Sequence, residues 1–548
     1  MSENDNDKPC LVETGRGFSV KYKDRLLYSK YDPQKNILQT VQSLKILPGT
    51  LILALSPCLG YGLGELSEKL PEDCFIFAVE RDEKLFRLTE THCAEKYSEE
   101  KKCVLFSPEQ LDELPALLNG LTSPFRGKFK RVMRIDFSAG AFLNEKFYTV
   151  FYSAMQKSIA QFWKNRITLV KFGKRYSRNF FRNISALKEN YKIDGLFKSV
   201  SKPILVCGAG ESLEIILSAK KNVSGKFYII AVDAALRAFK ARNIHVDAVV
   251  CEESQIAISK AFIGCRQYAD RAFASLSSCP EAASTAGKST AFYTTVFDER
   301  NFLEQLSASS ILPAAVPPLG SVGLTAVYLS LCLRASTEVP VYIAGLDFSF
   351  SPGKTHAKET FPSAQNLLEF NRLNSKKSYA PAFSAGTSAV SDINGRKTVT
   401  TVALNGYAEL FKQFFCNARN LFDLRNCGLP LNLPNADFTT VSEHLRDESR
   451  FSCKQPVPPE KNAENEKISR FFRNEITALE ELKDILSNGQ NEDSRTRNER
   501  IKKLLECREY LYLHFPDGIS SSLDIGFLKR IRAETDYFLK LFNQLRCL

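Results

Sequence analysis

A strand, a glycine-bearing turn and a helix follow one another twice along this chain, and this repeat limits the folds open to it. The apolar strand "TLILALS" at 50–56 leads into "GYGLGELSEKL", a turn and a helix. The pattern restarts with "KPILVCGAGESLEIILSAKK" at 202–221. Strands and helices go on alternating after each start, which is typical of a mostly parallel sheet covered by helices. The sequence therefore predicts an α/β fold with two serial Rossmann-like, doubly wound domains.

The last hundred residues have a different pattern. Apolar residues recur at helical spacing in segments such as "KISRFFRNEITALEELKDIL", which predicts a C-terminal α-helical domain. The predicted division is a loose N-terminus at 1–20, an N-terminal Rossmann-like domain at 21–197, a central domain at 198–437 and a helical domain at 438–548. Two local predictions are a strand at "RITLVKF", residues 166–172, and a β-hairpin at "VSDINGRKTVTT", which contains an Asn-Gly pair.

Composition narrows the setting. The apolar runs are shorter than the roughly 20 residues that cross a bilayer, and no secretory signal pattern opens the chain, so we expect a cytoplasmic protein without stable membrane insertion. The 15 cysteines form no CxxC pair, which favours reduced core thiols, and no metal site is predicted from them. The net charge of +12 suits an anionic partner. Nucleic acid is not expected, because no helix-turn-helix, zinc or RNP-like pattern occurs.

The second glycine turn is the first candidate site. Gly208 and Gly210 let a backbone approach a phosphate, and Ser212 either caps the following helix or donates to a phosphate oxygen. The next strand ends at Asp233, where an acid can bond a ribose or a base. The strand after it ends at a pair of acids, of which Glu253 is the predicted ligand. The turn thus favours nucleotide binding, although a tight βα turn needs glycine with or without a ligand.

Two further stretches carry polar groups. In "PPLGSVGLTAVYL", Gly320 and Ser321 open a helix, so that Ser321 is either a plain N-cap or a second anion contact. In "GLDFSFSPGKTHAKET", residues 345–360, Asp347 ends a buried strand, and the residues Lys354, Thr355 and His356 follow. The chain has only five histidines, and one beside this cluster could act as a general base or lie in an exposed loop.

Five motifs, taken in order, resemble the motility accessory factor (Maf) family, which glycosylates bacterial flagellin. They are "GAGESL", "VDAAL", "DAVVCEESQ", "LGSVGLTA" and "GLDFSFSPGKTHA", and "NLFDLRNCGLPL" is similar to the closing motif of the family. Upstream, "LYSKYDPQKN" also fits. The first glycine turn departs from the family, since "SPCLGYG" has Ser56 and Cys58 where relatives have glycine and Gly62 where they have histidine. That departure puts a nucleotide in the first domain in doubt.

The resemblance implies a cytoplasmic flagellin glycosyltransferase. The donor would be a CMP-activated nonulosonic acid of the pseudaminic or legionaminic type, and the acceptor would be a Ser or Thr of flagellin. This transfer would be needed for flagellar assembly and motility. The resemblance implies His356, Asp347 and Lys354 as catalytic residues, with His356 as the base and Lys354 stabilising the leaving phosphate. The residues implied for the nucleotide are Gly208, Gly210, Ser212, Asp233, Glu253, Gly320, Ser321 and Thr355. A need for Mg²⁺ is left open.

Two other functions stay open. The central domain also resembles the archaeal 6-hydroxymethylpterin pyrophosphokinase, which implies ATP with magnesium held by Asp233 and Asp347. The second of these functions is that of a non-catalytic flagellin-binding protein whose pocket is degenerate. The N-terminal domain and the helical C-terminus favour the glycosyltransferase, because a pterin kinase needs neither.

Overall fold

The chain divides into two compact units, Met1–Lys171 and Phe172–Leu548, in a computed structural model of the protein. The structure describes residues 8–93, 95, 97, 102–118, 123–295, 301–373, 380–445, 465–488, 493–516, 518 and 523–546. Both units contain parallel sheets and helices, so the predicted α/β class is confirmed. The predicted boundaries at 197/198 and 437/438 stay predictions.

The first unit carries a small antiparallel sheet and a parallel one. The strands are β1 (Cys10–Thr14), β2 (Gly17–Tyr22), β3 (Arg25–Leu26), β4 (Thr50–Leu55), β5 (Phe75–Val79), β6 (Cys103–Phe106) and β7 (Arg131–Asp136). The antiparallel sheet has the order β1-β2-β3, and the parallel sheet the order β6-β5-β4-β7. The helices are α1 (Lys35–Ser43), α2 (Leu63–Glu68), α3 (Glu83–Cys93) and α4 (Leu114–Leu117).

The strand β4 shows that this parallel sheet is covered on both faces. Leu51 and Leu53 pack in one hydrophobic cluster, and Ile52 and Ala54 in another on the opposite face. A strand that is buried on both faces has a continuous apolar sequence, as is typical of parallel strands between two layers of helices.

The helix α5 (Glu145–Ala186) corrects one prediction. It is 42 residues long and includes "RITLVKF", which the sequence indicated as a strand. The run is apolar and β-branched, but its burial follows a helix: Arg166 and Leu169 are buried while Ile167 is 66% exposed. A strand period of two would have buried alternate residues instead.

The second unit is built on one large sheet. Its strands are β8 (Tyr191–Lys192), β9 (Ile204–Cys207), β10 (Tyr228–Val232), β11 (Ala248–Cys251), β12 (Ala269–Ser275), β13 (Gly287–Thr295), β14 (Ala315–Val316), β15 (Val341–Ala344), β16 (Thr387–Ser391), β17 (Lys397–Thr401) and β18 (Leu421–Asp423). The order is β14-β13-β12-β11-β10-β9-β15-β18, every neighbouring pair is parallel, and β8 pairs with β13. The strands β16 and β17 form the predicted hairpin.

The helices of the second unit fall into two groups. Those between strands are α6 (Leu213–Ser218), α7 (Lys220–Val223), α8 (Leu236–Ala241), α9 (Pro280–Ala286), α10 (Asn301–Ala308), α11 (Val322–Leu333), α12 (Phe361–Glu369) and α13 (Val402–Phe415). The helices after the sheet are α14 (Phe438–Leu445), α15 (Asn465–Asn488), α16 (Ser494–Leu505) and α17 (Ile525–Arg546). The predicted helical segments at 467–486 and 521–545 correspond to α15 and α17, but the one predicted at 494–515 is an α-helix only as far as Leu505 and continues as turns and a short 3₁₀ helix, Glu509–Leu511.

Candidate active site at the carboxyl edge of the second sheet

The strand order places a ligand crevice at the carboxyl edge of the second sheet. From β9 the chain adds strands outward to β14, then returns to the other side of β9 for β15. Open parallel sheets bind ligands outside the carboxyl ends of the strands at such a switch point. The turns that follow β9, β10, β11 and β15 carry the predicted site residues Gly208, Asp233, Glu253 and Asp347.

The glycine turn after β9 packs directly on the end of β15. The Gly210 amide donates to the Gly345 carbonyl at 2.8 Å. A Cβ on Gly208 would lie 2.1 Å from the same carbonyl oxygen, so no side chain fits there. Gly345 itself has a φ of +68°, a left-handed conformation that glycine adopts without strain. Close packing of two backbones therefore accounts for these glycines before any ligand is considered.

Asp347 and Ser212 bond each other inside this turn. The Ser212 amide donates to Asp347 Oδ2 at 2.8 Å, the Ser212 hydroxyl donates to Oδ1, and the Gly345 amide donates to that hydroxyl at 2.8 Å. Asp347 is 2% exposed, and burial raises its pKa to about 6 although Arg425 and Ser212 oppose the rise. The contacts suit a role for the pair in holding the turn. Their predicted contacts with substrate and phosphate stay predictions.

Two carboxyl groups with perturbed pKa values follow the next two strands of the sheet, β10 and β11. Burial raises the pKa of Asp233, which follows β10, to about 6, and that of Glu252, which follows β11, to about 7. The Thr325 hydroxyl on α11 donates to Glu252 Oε2 at 3.1 Å. The buried Tyr293 hydroxyl has no hydrogen-bond partner among the described residues, and both acids act on it electrostatically. These groups form what we call the acid cluster: Asp233, Glu252, Tyr293 and Thr325.

The structure separates the two adjacent glutamates that follow β11. Glu252 is half-buried in the acid cluster, whereas Glu253, the predicted ligand, is exposed and accepts from the Gln255 amide at 3.0 Å. Glu252 is therefore a site residue that the sequence pattern did not indicate. All four residues of β11 are buried, so no alternation along the strand could indicate which glutamate points inward.

Ser321 stands at the start of α11, beside the acid cluster. It occupies the N-cap position, yet its side chain accepts no hydrogen bond from the helix, contrary to the plain-cap interpretation. Gly320, before it, is exposed with a φ of +70°. The first turn of a 12-residue helix thus begins next to a hydroxyl that caps none of its amides. An anion would be favoured there, because helix amides and the dipole point toward it.

The predicted base lies in a segment that is fastened to the glycine turn. The Ala357 amide donates to the Ala209 carbonyl at 3.0 Å. His356 is half-buried, and its Nδ1 lies 3.1 Å from Thr355 Oγ1. Burial lowers the pKa of His356, so its imidazole is neutral at pH 7, as a general base must be. The helix α12 that follows packs against the turn carrying Asp233.

Lys354 is paired with two glutamates. Its Nζ lies 3.0 Å from Glu211 Oε1 and 3.1 Å from Glu214 Oε2. The Ser351 hydroxyl also donates to Glu211, at 2.9 Å. Lys354 therefore neutralises the negative charge that Glu211 brings to the glycine turn. To stabilise a leaving phosphate, Lys354 would have to break its ion pair with one of these glutamates and pair with the phosphate instead.

One group of side chains among the described residues has metal-ligand geometry, and it lies elsewhere. The ligand atoms of His245, Asp247 and Asp270 fall within 4.8 Å of one another. They stand where β11 and β12 begin, at the opposite edge of the parallel sheet from the acid cluster. Lys288 already pairs with Asp270 at 2.7 Å, so a cation is present without a metal.

The chain aligns over most of its length with a protein of Treponema pallidum. An uncharacterized protein of Treponema pallidum (strain Nichols) is 31% identical over 562 aligned residues, which cover 98% of this chain and 95% of that protein. The chain belongs to the family of this treponemal protein. Both units thus recur together in that family.

Two further comparisons concern domain and fold. The family of MptE-like proteins, described as 6-hydroxymethylpterin diphosphokinase MptE-like, matches residues 178–353. The match includes the acid cluster and Asp347 but ends before His356. A solved structure, the MAf glycosyltransferase from Magnetospirillum magneticum AMB-1, has a TM-score of 0.58 with 14% identity, covering 98% of this chain and 92% of that one. The predicted resemblances to the Maf and pterin kinase families are therefore both confirmed. At this identity the Maf likeness shows the fold.

The helices also bear on the membrane prediction. Among the residues that the structure describes, no helix is both long enough and apolar enough to cross a bilayer.

Proposed function

We propose that this chain is a flagellin glycosyltransferase of the Maf type, acting in the cytoplasm. The observation that carries the proposal is the likeness to a Maf glycosyltransferase over 98% of the chain. It extends through both units, as expected if two Rossmann-like domains and a helical domain work together. A pterin kinase alone would account only for residues 178–353.

The proposed donor is a CMP-activated nonulosonic acid, and the acceptor is a Ser or Thr hydroxyl of flagellin. The acceptor oxygen attacks the anomeric carbon as the bond from that carbon to the phosphate oxygen breaks. CMP leaves with the bonding electrons, and the acceptor proton passes to the neutral imidazole of His356. The free Ser321 hydroxyl and the start of α11 favour the phosphate charge. Ser212, whose hydroxyl and amide both bond Asp347, contributes by holding the turn.

The acid cluster would hold the ribose hydroxyls or the cytosine base of the nucleotide. Carboxylates accept hydrogen bonds from ribose hydroxyls at this place in other doubly wound folds. Asp233 and Glu252 have pKa values of about 6 and 7, so both become better acceptors as the pH rises through neutrality. Glu253, exposed beside them, is free to contact the donor or the acceptor at the rim.

The second candidate is a diphosphotransferase that uses ATP and magnesium, and the MptE-like match favours it. It would require Asp233 and Asp347 as metal ligands. Asp347 does not fit, because it is 2% exposed and both its carboxylate oxygens accept from Ser212. A hard cation needs open oxygen ligands and retains waters of its own. The chain can take this role only with a different ligand set.

Calorimetric titration separates the candidates. The purified chain is titrated with CMP, the CMP-nonulosonic acid, and ATP with magnesium. We expect heat from both CMP compounds, and a dissociation constant at least tenfold higher in Asp233→Asn. Transfer to purified flagellin is then followed by mass spectrometry. Heat from ATP with magnesium alone would refute the glycosyltransferase proposal, and no heat from any of them would favour a flagellin-binding protein.

A further inference from the structure

A cavity in the second unit lies among its C-terminal helices and is independent of the acid cluster. Its volume is about 450 Å³, within the range of about 300–1,000 Å³ that small-molecule sites occupy. The helices α10 and α15 and the segment after α16 line it. The residues that matter to the argument are Lys467, Arg470, Phe471, Glu475, Arg508 and Tyr510.

The charge in this cavity is unbalanced. Lys467, Arg470 and Arg508 bring three positive charges, and Glu475 is the acid that lines the cavity with them. Both oxygens of Glu475 are engaged, Oε1 by Arg508 at 2.8 Å and Oε2 by the Tyr510 hydroxyl at 2.6 Å. Lys467 and Arg470 form no ion pair with any residue that the structure describes. Two cations therefore face the cavity without a counter-charge.

Arg508 adds a second indication. Its terminal nitrogens donate to Glu475 and to the Leu504 carbonyl, but its buried Nε has no partner among the described residues. A buried donor without an acceptor is destabilising, so the site gains from an acceptor atom placed there. The lining also has an apolar part, which consists of Phe471 on α15 with Leu306 and Ile311.

We propose that this cavity binds a small phosphate ester, with the phosphate between Lys467, Arg470 and Arg508 and the organic part against Phe471. Arginine forks match phosphate oxygens in pairs, and lysine adds a point charge, so together they favour a dianion over a single carboxylate. The apolar part of the lining favours an ester over inorganic phosphate. The proposal does not depend on the transferase function, because none of these residues belongs to the acid cluster or the glycine turn.

The test uses the full chain and calorimetry with inorganic phosphate, inorganic pyrophosphate and phenyl phosphate as probes. The pocket variant is Lys467→Gln with Arg470→Gln. The control variant, Arg473→Gln with Lys483→Gln, removes one arginine and one lysine from the same helix α15, both outside the cavity lining. Both variants alter exposed or half-exposed side chains, and their thermal unfolding is compared with the wild type to confirm folding.

We expect the dissociation constants for pyrophosphate and phenyl phosphate to rise at least tenfold in the pocket variant and to stay within twofold in the control. We also expect phenyl phosphate to bind the wild type more tightly than inorganic phosphate does. Equal binding in the wild type and the pocket variant would overturn the site, as would an equal loss in the control. If phenyl phosphate binds the wild type no more tightly than inorganic phosphate does, the proposal that the ligand is an ester is wrong. Asp233→Asn should leave all three affinities unchanged, which keeps this test separate from that of the transferase.

Discussion

The turn after β4 in the first unit and the glycine turn after β9 in the second unit differ in the residues that form them. In the first unit, Ser56 and Cys58 stand where Maf relatives have glycine and adopt φ values of +47° and +46°. The Ser56 hydroxyl donates to Glu80 at 2.7 Å, and a Cβ on Gly140 would lie 2.2 Å from that hydroxyl. The second unit retains its glycines, and at the same edge of its sheet Glu252 is partly exposed.

The comparison shows that a raised pKa alone does not mark an active site. Burial raises the pKa of both Glu80 and Glu252 to about 7. Glu80 is fully enclosed, and the Ser56 and Tyr148 hydroxyls donate to it. Glu252 is half-buried and lies beside a free helix start. Exposure to a ligand, rather than the pKa, distinguishes the candidate site.

The largest expected effect is the loss of turnover when the proposed general base, His356, is removed. In the transfer assay, His356→Ala should lower turnover about 10²–10⁴-fold, the usual contribution of general base catalysis. His245→Ala, at the opposite edge of the same sheet, is the control and should retain wild-type turnover. Equal turnover in both variants would place the base elsewhere.

Glu80 tests the closed turn of the first unit. Its folded pKa of about 7 exceeds the ordinary 4.5, so its contribution to stability is complete below pH 4.5 and is lost as the pH rises through 7. From pH 4.5 to 8 the wild type should lose roughly 3 kcal/mol of unfolding free energy that Glu80→Gln does not lose. Urea unfolding at several pH values measures this, and turnover of Glu80→Gln should equal that of the wild type. Parallel pH profiles would show that Glu80 is not desolvated.

Gly208→Ala tests the packing of the second turn. Its Cβ would lie 2.1 Å from the Gly345 carbonyl oxygen, so the two strand ends must separate. We expect a loss of about 1–3 kcal/mol, as for other overpacked sites. Gly64→Ala, near the start of α2, is the matched change in the first unit, because nothing lies within 4 Å of its Cβ. Alanine there should stabilise by up to about 1 kcal/mol through helix propensity. Thermal unfolding compares the two, and equal shifts would contradict the close approach.

Lys354→Met has the smallest expected effect on stability. Its side chain is 31% exposed and its partners Glu211 and Glu214 are 27% and 29% exposed. Ion pairs at such exposure contribute less than about 1 kcal/mol. If Lys354 meets the donor phosphate, KM for the donor rises several-fold in this variant while unfolding changes little. An unchanged KM would restrict Lys354 to neutralising its glutamates.

Local patterns predicted the elements of the fold better than the contacts of the site. Both strand–turn–helix units follow from apolar runs and glycines that are adjacent in sequence. "RITLVKF" misled because a short β-branched run fits a strand, and only the periodicity of the whole helix α5 excludes that. The bond between Ser212 and Asp347 joins residues 135 positions apart, so no local pattern indicates it. Glu252 and Glu253 are neighbours of the same type, and only the path of the chain after β11 distinguishes them.

The segment that carries His356 is attached to the protein by main-chain atoms on both sides. Before it, Phe350 exchanges two backbone hydrogen bonds with Val399, at 2.8 and 3.1 Å, and after it the Ala357 amide bonds the Ala209 carbonyl. These attachments do not depend on side-chain identity. The main chain around His356 is therefore held at Phe350 and at Ala357, whichever side chains residues 351 and 352 carry. In the proposed transferase, a library over residues 351 and 352 would vary the side chains next to the donor while Lys354, Thr355 and His356 stay in place.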